Sequence, residues 1–462
     1  MANGTRSARK RARRATVMPR STARASSPRF SPTSQRRSQR RARGKGVAWD
    51  IACHPTGASG SVESVVARPH GPGCTTRALK KSPPVRDSIG HFSKEIRSMP
   101  DAPILRRAAL VAAFAPLLWT PAPAAAAPAQ IAPAKREVVK SGGYVLELPL
   151  GLQADAAYVP ESNPLSTEKI ELGKFLYFDP QLSKDGSLSC ASCHIPYHGF
   201  ADPAPTSQGV GFKLGGRNSP TVINRLFSSD QFWDGRAKDL EEQAHGPLIN
   251  PVEMAMKSHD DVVAEVTKID AYRPLFKAAF GSDEITMPKI AQAIASYERT
   301  VVSGNSPFDR YQAGDKDVLS ASQVRGWALF QNKANCQTCH VSFNFTDEGY
   351  HNLGVGWDAQ KKELTDLGRF DVTKNPADKG AFKTPTLRNV VETAPYMHDG
   401  SEATLREVIE LYDRGGNANP NLSPKMKPLN LTPAEKDDLL AFLLALTGEV
   451  NNLEPPAKLP GR

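Results

Sequence analysis

A mainly α-helical chain built as two tandem units is what this sequence predicts, and three observations carry the prediction. Apolar residues recur at helical spacing, while alternating strand patterns are few. The pattern Cys-x-x-Cys-His occurs twice, at Cys190–His194 and at Cys336–His340. Each copy follows closely on an amphipathic run, so the second half of the folded part repeats the layout of the first.

The front of the chain is of another kind. Of 59 Lys and Arg and 48 Asp and Glu, residues 1–98 hold 22 and 4, which leaves 37 basic against 44 acidic side chains in the remainder. The net charge of +11 therefore belongs to the front alone, and the acidic remainder gives no support for nucleic-acid binding. Residues 1–98 are Arg/Ser/Ala-rich without apolar periodicity, so they are expected to be disordered and to be a mis-called extension. At Met99 a new pattern starts, with Arg106 and Arg107, the apolar run Ala108 to Trp119 and a small-residue stretch. This is the layout of a signal peptide over 99–129, with cleavage expected after Ala129 or Ala126. No later run approaches the roughly 20 apolar residues of a membrane span. The expectation is an exported, periplasmic protein with a flexible leader over 130–162.

The helices then follow in order. Ser166-Thr-Glu-Lys opens a run with Ile170, Leu172, Phe175 and Leu176 on the apolar side, which delivers the chain to the first motif. Pro288 suits a first helical position before Ile290, Ile294, Tyr297 and Val301. Ser322 is expected to open the helix of Val324, Trp327, Ala328 and Phe330 ahead of the second motif, and Thr432-Pro433 a closing helix with Leu439, Leu440, Leu443 and Leu446. The expected divisions are 163–310 and 311–448, with a tail over 449–462.

Every cysteine after Cys74 lies in a Cys-x-x-Cys-His motif, the signature of covalent haem c attachment, in which two thiols bind the porphyrin and the histidine binds iron. A four-Cys zinc site sits poorly with 142 residues between Cys193 and Cys336 and leaves both histidines unexplained. A thioredoxin-like pair lacks its βαβ setting, and two tight disulfides again make the histidines coincidental. Two haem c groups are expected, and entry helix, motif, loops and closing helix together describe a cytochrome c-like unit, twice over.

Between the motifs stands RNSPTVINRLFSSDQFWDGRAKDLEEQAHGPLINPVEM, and after the second comes TPTLRNVVETAPYMHDG. With the two haem motifs, these stretches closely resemble the bacterial dihaem cytochrome c peroxidase and MauG superfamily over residues 164–448. The resemblance implies a peroxidatic haem on Cys190, Cys193 and His194. Glu253 matches the family's acid-base carboxylate, Gln243 the amide beside it, and Pro247 a pocket wall. Moving a proton from one peroxide oxygen to the other is work suited to a carboxylate. Trp233 matches the tryptophan between the haems, and Asn218 with the carbonyls of Thr393 and Pro395 matches a calcium site, whose oxygen donors suit that hard ion. Val210 stands where many members have an iron-closing histidine, which implies a first haem open at rest. His198 is expected at the surface or against a propionate.

The second haem is expected on Cys336, Cys339 and His340. Fourteen residues after His398, conventional members carry a ligating methionine, which raises the potential for electron uptake. Here the residue is Tyr412, as in MauG-type members. Leu405, Val408, Ile409 and Tyr412 fall on one helical face, so the tyrosine points inward. Met397 and Met426 are the other thioethers at hand. The resemblance thus implies a peroxidase that reduces hydrogen peroxide, MauG-like in its His340/Tyr412 pair. Its electrons come from a small donor protein (a cytochrome c or cupredoxin) or from an oxidised protein substrate, and a homodimer is possible in this family. The alternatives are a conventional His/Met peroxidase and a non-enzymatic dihaem carrier, against which Glu253 and Gln243 argue.

Overall fold

The structure, a computed structural model, describes residues 136–462. The expectations for 1–98, for Met99 and for the signal peptide lie outside the described residues. Among these, eleven α-helices account for most regular structure: α1 (Thr167–Phe178), α2 (Cys190–Cys193), α3 (Leu240–Ile249), α4 (His259–Thr267), α5 (Tyr272–Phe280), α6 (Met287–Glu298), α7 (Pro307–Gln312), α8 (Ala321–Gln331), α9 (Phe370–Thr373), α10 (Leu405–Asp413) and α11 (Pro433–Leu444). Strands occur only as four two-stranded antiparallel pieces. No helix among the described residues is long and apolar enough to cross a membrane. The fold is mainly helical, as the periodicity predicts.

Local chemistry starts and stops these helices. The Ser166 side chain accepts from Lys169 N–H at the start of α1, and Thr432 with Glu435 forms a reciprocal capping box at α11. The cap of helix α8 lies two residues before the expected Ser322. Ser320 is the cap, because Gln323 stands three residues later to complete the box, while Ser322 Oγ instead donates to Asp438 at 2.5 Å.

The two halves share one packing device. Gly173 of α1 lies so close to α6 that a Cβ there would sit 1.8 Å from the Ala293 carbonyl oxygen. Gly326 of α8 meets α11 in the same way, its Cβ position 2.0 Å from the Asp438 carbonyl oxygen. Each pair of helices closes over its own apolar cluster. One includes Leu172, Leu176, Phe200, Ile290 and Tyr297, and the other Phe330, Phe345, Leu405, Leu439 and Phe442.

The described part of the expected flexible leader is ordered structure. Val138–Ser141 and Tyr144–Glu147 pair as a hairpin, and Val139, Leu146, Leu148 and Leu152 form a third cluster with Leu226 and Val302. Their alternate apolar positions give the hairpin one face to bury, which a free leader would lack. The expected tail is also built in. Glu449–Val450 pairs with Ser303–Gly304, Tyr297 donates its hydroxyl to the Asn452 carbonyl at 3.0 Å, and Arg462 pairs with the fully buried Asp179 at 2.9 Å.

Candidate active site

Two cavities open beside the two motifs. The first, about 460 Å³, is lined by Cys190, Cys193 and His194 together with Gln243, Pro247 and Glu253. The second, about 400 Å³, is lined by Cys336, Cys339 and His340 together with Val408, Ile409 and Tyr412. Both volumes fall in the range of sites that enclose a cofactor, about 300–1,000 Å³.

The residues fit haem at both places. All four cysteines among the described residues are free thiols, which removes the two-disulfide alternative. His194 Nδ1 lies 3.3 Å from the Phe200 carbonyl and His340 Nδ1 lies 3.0 Å from the Phe345 carbonyl. A proton on Nδ1 satisfies each contact and leaves Nε2 as the lone-pair donor, the arrangement a metal-binding histidine needs. Burial holds both imidazoles below their ordinary range, hence neutral. In the second cavity the His398 Nε2 atom is buried without a hydrogen-bond partner, its ring stacked on Phe382 with centroids 3.5 Å apart. An orphaned polar atom in a cavity wall is the mark of a polar group that the cavity is built to receive.

Helix α3 and the turn after it bring Gln243, Pro247 and Glu253 to the first cavity. Asp239 caps α3 by accepting from Glu242 N–H at 2.7 Å, and Pro247 interrupts the helix near its end, so the chain turns back through Asn250. The Asn250 side chain accepts from Val252 N–H at 3.0 Å and donates to Glu253 Oε1 at 2.7 Å. Burial raises the Glu253 carboxyl, against the pull of Arg236 and of that hydrogen bond. Asn250 is a functional neighbour that sequence reasoning missed. Its Asn-Pro dipeptide signalled the turn, but not the contact to Glu253.

The loop over 207–217 is tied to the same turn, with Val210 N–H donating to the Glu253 carbonyl at 2.9 Å. Val210 itself is absent from the cavity lining, where Ser207, Gly209 and Arg217 are found. His198 is also directed elsewhere, its Nε2 2.8 Å from the Ala394 carbonyl.

The two cavities share part of one wall, including Asn218, Pro220, Arg225, Trp233, Lys383 and Pro385. Trp233 donates its indole N–H to the Asn218 carbonyl at 2.8 Å, which fixes the ring between them. Arg225 and Lys383 bring two buried cations to this wall, and burial together with Arg225 lowers Lys383 to about 8. Asn218 Nδ2 donates to the Ala204 and Pro205 carbonyls, both at 3.3 Å, and Thr393 and Pro395 line the second cavity beside it.

In the second cavity the Tyr412 hydroxyl has no hydrogen-bond partner among the described residues. Burial and the nearby Cys336 and Cys339 sulfurs raise it. Tyr412 ends an apolar face with Leu405, Val408 and Ile409, and Gly415 and Gly416, both at positive φ, end the helix behind it. Met397 and Met426 line the same cavity.

Comparison with known proteins agrees with this geometry. Residues 167–317 match the family described as di-haem cytochrome c peroxidase, and residues 323–447 match cytochrome c. The chain is 43% identical over 293 residues to the methylamine utilization protein MauG of Methylorubrum extorquens, covering 63% of this chain and 81% of that one. The chain belongs to the dihaem cytochrome c peroxidase and MauG family. A second member, the cytochrome c551 peroxidase of Pseudomonas aeruginosa, is 38% identical over 317 residues, covering 66% of this chain and 88% of the relative. Among solved structures, a MauG-like protein associated with microbial copper homeostasis matches with a TM-score of 0.60 and 35% identity, over 63% of this chain and 93% of that one. The family makes this protein an oxidoreductase of the cytochrome c peroxidase type, with two haem c groups implied by its two cytochrome c units.

Proposed function

We propose that this protein is an exported, periplasmic dihaem peroxidase of the MauG type, with His194 as the iron ligand of the first haem and His340 with Tyr412 as the axial pair of the second. The observation that carries the MauG reading is the unpartnered Tyr412 hydroxyl in the cavity that His340 also lines. The Tyr412 side chain lines the cavity and its hydroxyl is bonded to no described residue, so its oxygen is available to a group bound there. Bound haem would supply the redox centre at which hydrogen peroxide is reduced.

The side chains divide the rest of the work. Glu253 takes the proton from one peroxide oxygen and delivers it to the departing one. Asn250 holds Oε1 of that carboxylate by a 2.7 Å hydrogen bond, which leaves Oε2 to face the substrate. Gln243 orients the peroxide and Pro247 limits the space around it. Trp233, in the wall common to both cavities, passes electrons between the haems. Asn218 Oδ1 with the Thr393 and Pro395 carbonyls binds calcium and braces that wall. Electrons arrive from a small donor protein or are withdrawn from a protein substrate.

Met397 and Met426 line the same cavity as Tyr412, and they support a conventional His/Met second haem as the competing reading. Tyr412→Met separates the two. A hard anionic ligand favours oxidised iron and a thioether favours reduced iron, so the variant raises the second haem's potential by a large step. An unchanged potential, with an unchanged magnetic resonance spectrum of the oxidised protein, removes Tyr412 from the iron.

A further inference from the structure

The first cavity holds a second carboxyl for which the chemistry above has no use. Glu298 ends α6 one turn after Ile294, and both side chains line the cavity that Cys190 and Glu253 also line. Only 5% of Glu298 is exposed, yet its carboxyl has no hydrogen bond or ion pair with any described residue. The nearest cations are committed elsewhere. Arg299 forks onto Glu241 at 2.6 and 2.7 Å, and Arg225 donates to Gln231 Oε1 and to the Asp230 carbonyl, both at 2.8 Å. The other titratable groups around it are Tyr177 on α1, Cys190 on α2, Glu241 on α3 and Tyr297 on α6. Tyr177 and Tyr297 spend their hydroxyls on the His194 and Asn452 carbonyls, at 3.3 and 3.0 Å.

A buried carboxylate left without a partner is costly, and such a group takes up a proton instead. Burial pushes Glu298 up to about 8, against the pull of Arg299 and Arg225. Its place in the cavity wall means that this proton sits beside whatever charge the cavity contents carry.

We propose that Glu298 is the charge-compensating residue of the first haem pocket, exchanging a proton with solvent as that haem gains or loses an electron. The proposal rests on the assignment of a haem to Cys190, Cys193 and His194. The positive charge of the oxidised haem would favour the ionised carboxylate; when one electron from the donor protein cancels that charge, one proton from solvent bonds to a Glu298 carboxylate oxygen, so the pocket's net charge is unchanged. On oxidation the same proton returns to solvent. Glu298 thereby ties the potential of the first haem to pH, while Glu253 remains free to handle the protons of peroxide.

Spectroelectrochemical titration of the holoenzyme, from mildly acidic to mildly alkaline pH, tests this. In the wild type the potential of the first haem falls as pH rises. In Glu298→Gln, which cannot ionise, that slope is lost, and in Glu298→Asp it returns; the second haem behaves alike in all three. A Glu298→Gln protein that keeps the wild-type slope overturns the proposal. So does a wild-type first haem whose potential ignores pH, a result that needs no variant to fold. Mass spectrometry separates the layers: a chain carrying no haem on Cys190 and Cys193 overturns the assignment beneath and the proposal with it, whereas a dihaem chain with parallel slopes overturns the proposal alone.

Discussion

Glu253 stands in a family motif, NPVEM, so its position was readable from the sequence. Its environment was not. The turn that lets Asn250 hold one carboxylate oxygen, and the burial that raises the carboxyl, depend on α3 ending at Ile249, just after Pro247, and on the loop over 207–217. Glu253→Gln is expected to slow the reaction with peroxide by roughly 10²–10⁴-fold, the usual contribution of a positioned acid-base group, and stopped-flow mixing measures it directly. The pH dependence has a definite sign. In the proposed role the ionised carboxylate does the work, and a raised pKa means that it is lost, as pH falls, sooner than an ordinary glutamate would be. The acid limb of the peroxide reaction therefore lies above the ordinary glutamate value of about 4.3. A limb at that ordinary value would show that Glu253 is not the titrating base. Glu298 was not visible in the same way, since it reads as one more polar residue at a helix end until the cavity beside it is seen.

At the scale of the element, helix positions were largely legible because caps and apolar spacing are local signals. Ser166 and Thr432 begin the helices expected of them. The error at Ser322 came from a second serine two residues earlier, and the glutamine at Gln323 decides between them. The glycines that let α1 meet α6 and α8 meet α11 carry no such signal, because close approach is a property of two distant segments. Gly326→Ala places a methyl carbon 2.0 Å from the Asp438 carbonyl oxygen, so α8 and α11 must part. Overpacking of this kind costs about 1–3 kcal/mol, read from chemical denaturation. An unshifted midpoint would mean that the helix pair has slack the geometry denies.

For the whole molecule, two tandem helical units were foreseeable from the repeat of helix and motif, whereas the parts that bind the units together were misread as leader and tail. Those segments lack helical periodicity, and their partners lie far away in sequence. Arg388 shows how strongly such joins are made. It is 2% exposed, pairs with Asp309 at 2.8 and 2.9 Å, and also donates to the Phe343 and Gly151 carbonyls. Asp309→Asn leaves the guanidinium buried without its counter-charge, and breaking a buried pair in this way costs about 3–5 kcal/mol. Thermal unfolding of the variant checks that figure, and a loss below about 1 kcal/mol would place the join in the range of surface pairs instead.

The segment over 449–462 lends a strand partner to Ser303, an acceptor to Tyr297 and a counter-charge to Asp179, all in the first half of the fold. In a chain made from its amino end, these three groups of the first half are synthesised long before the partners that satisfy them, so removing 449–462 is expected to destabilise the first unit more than the second.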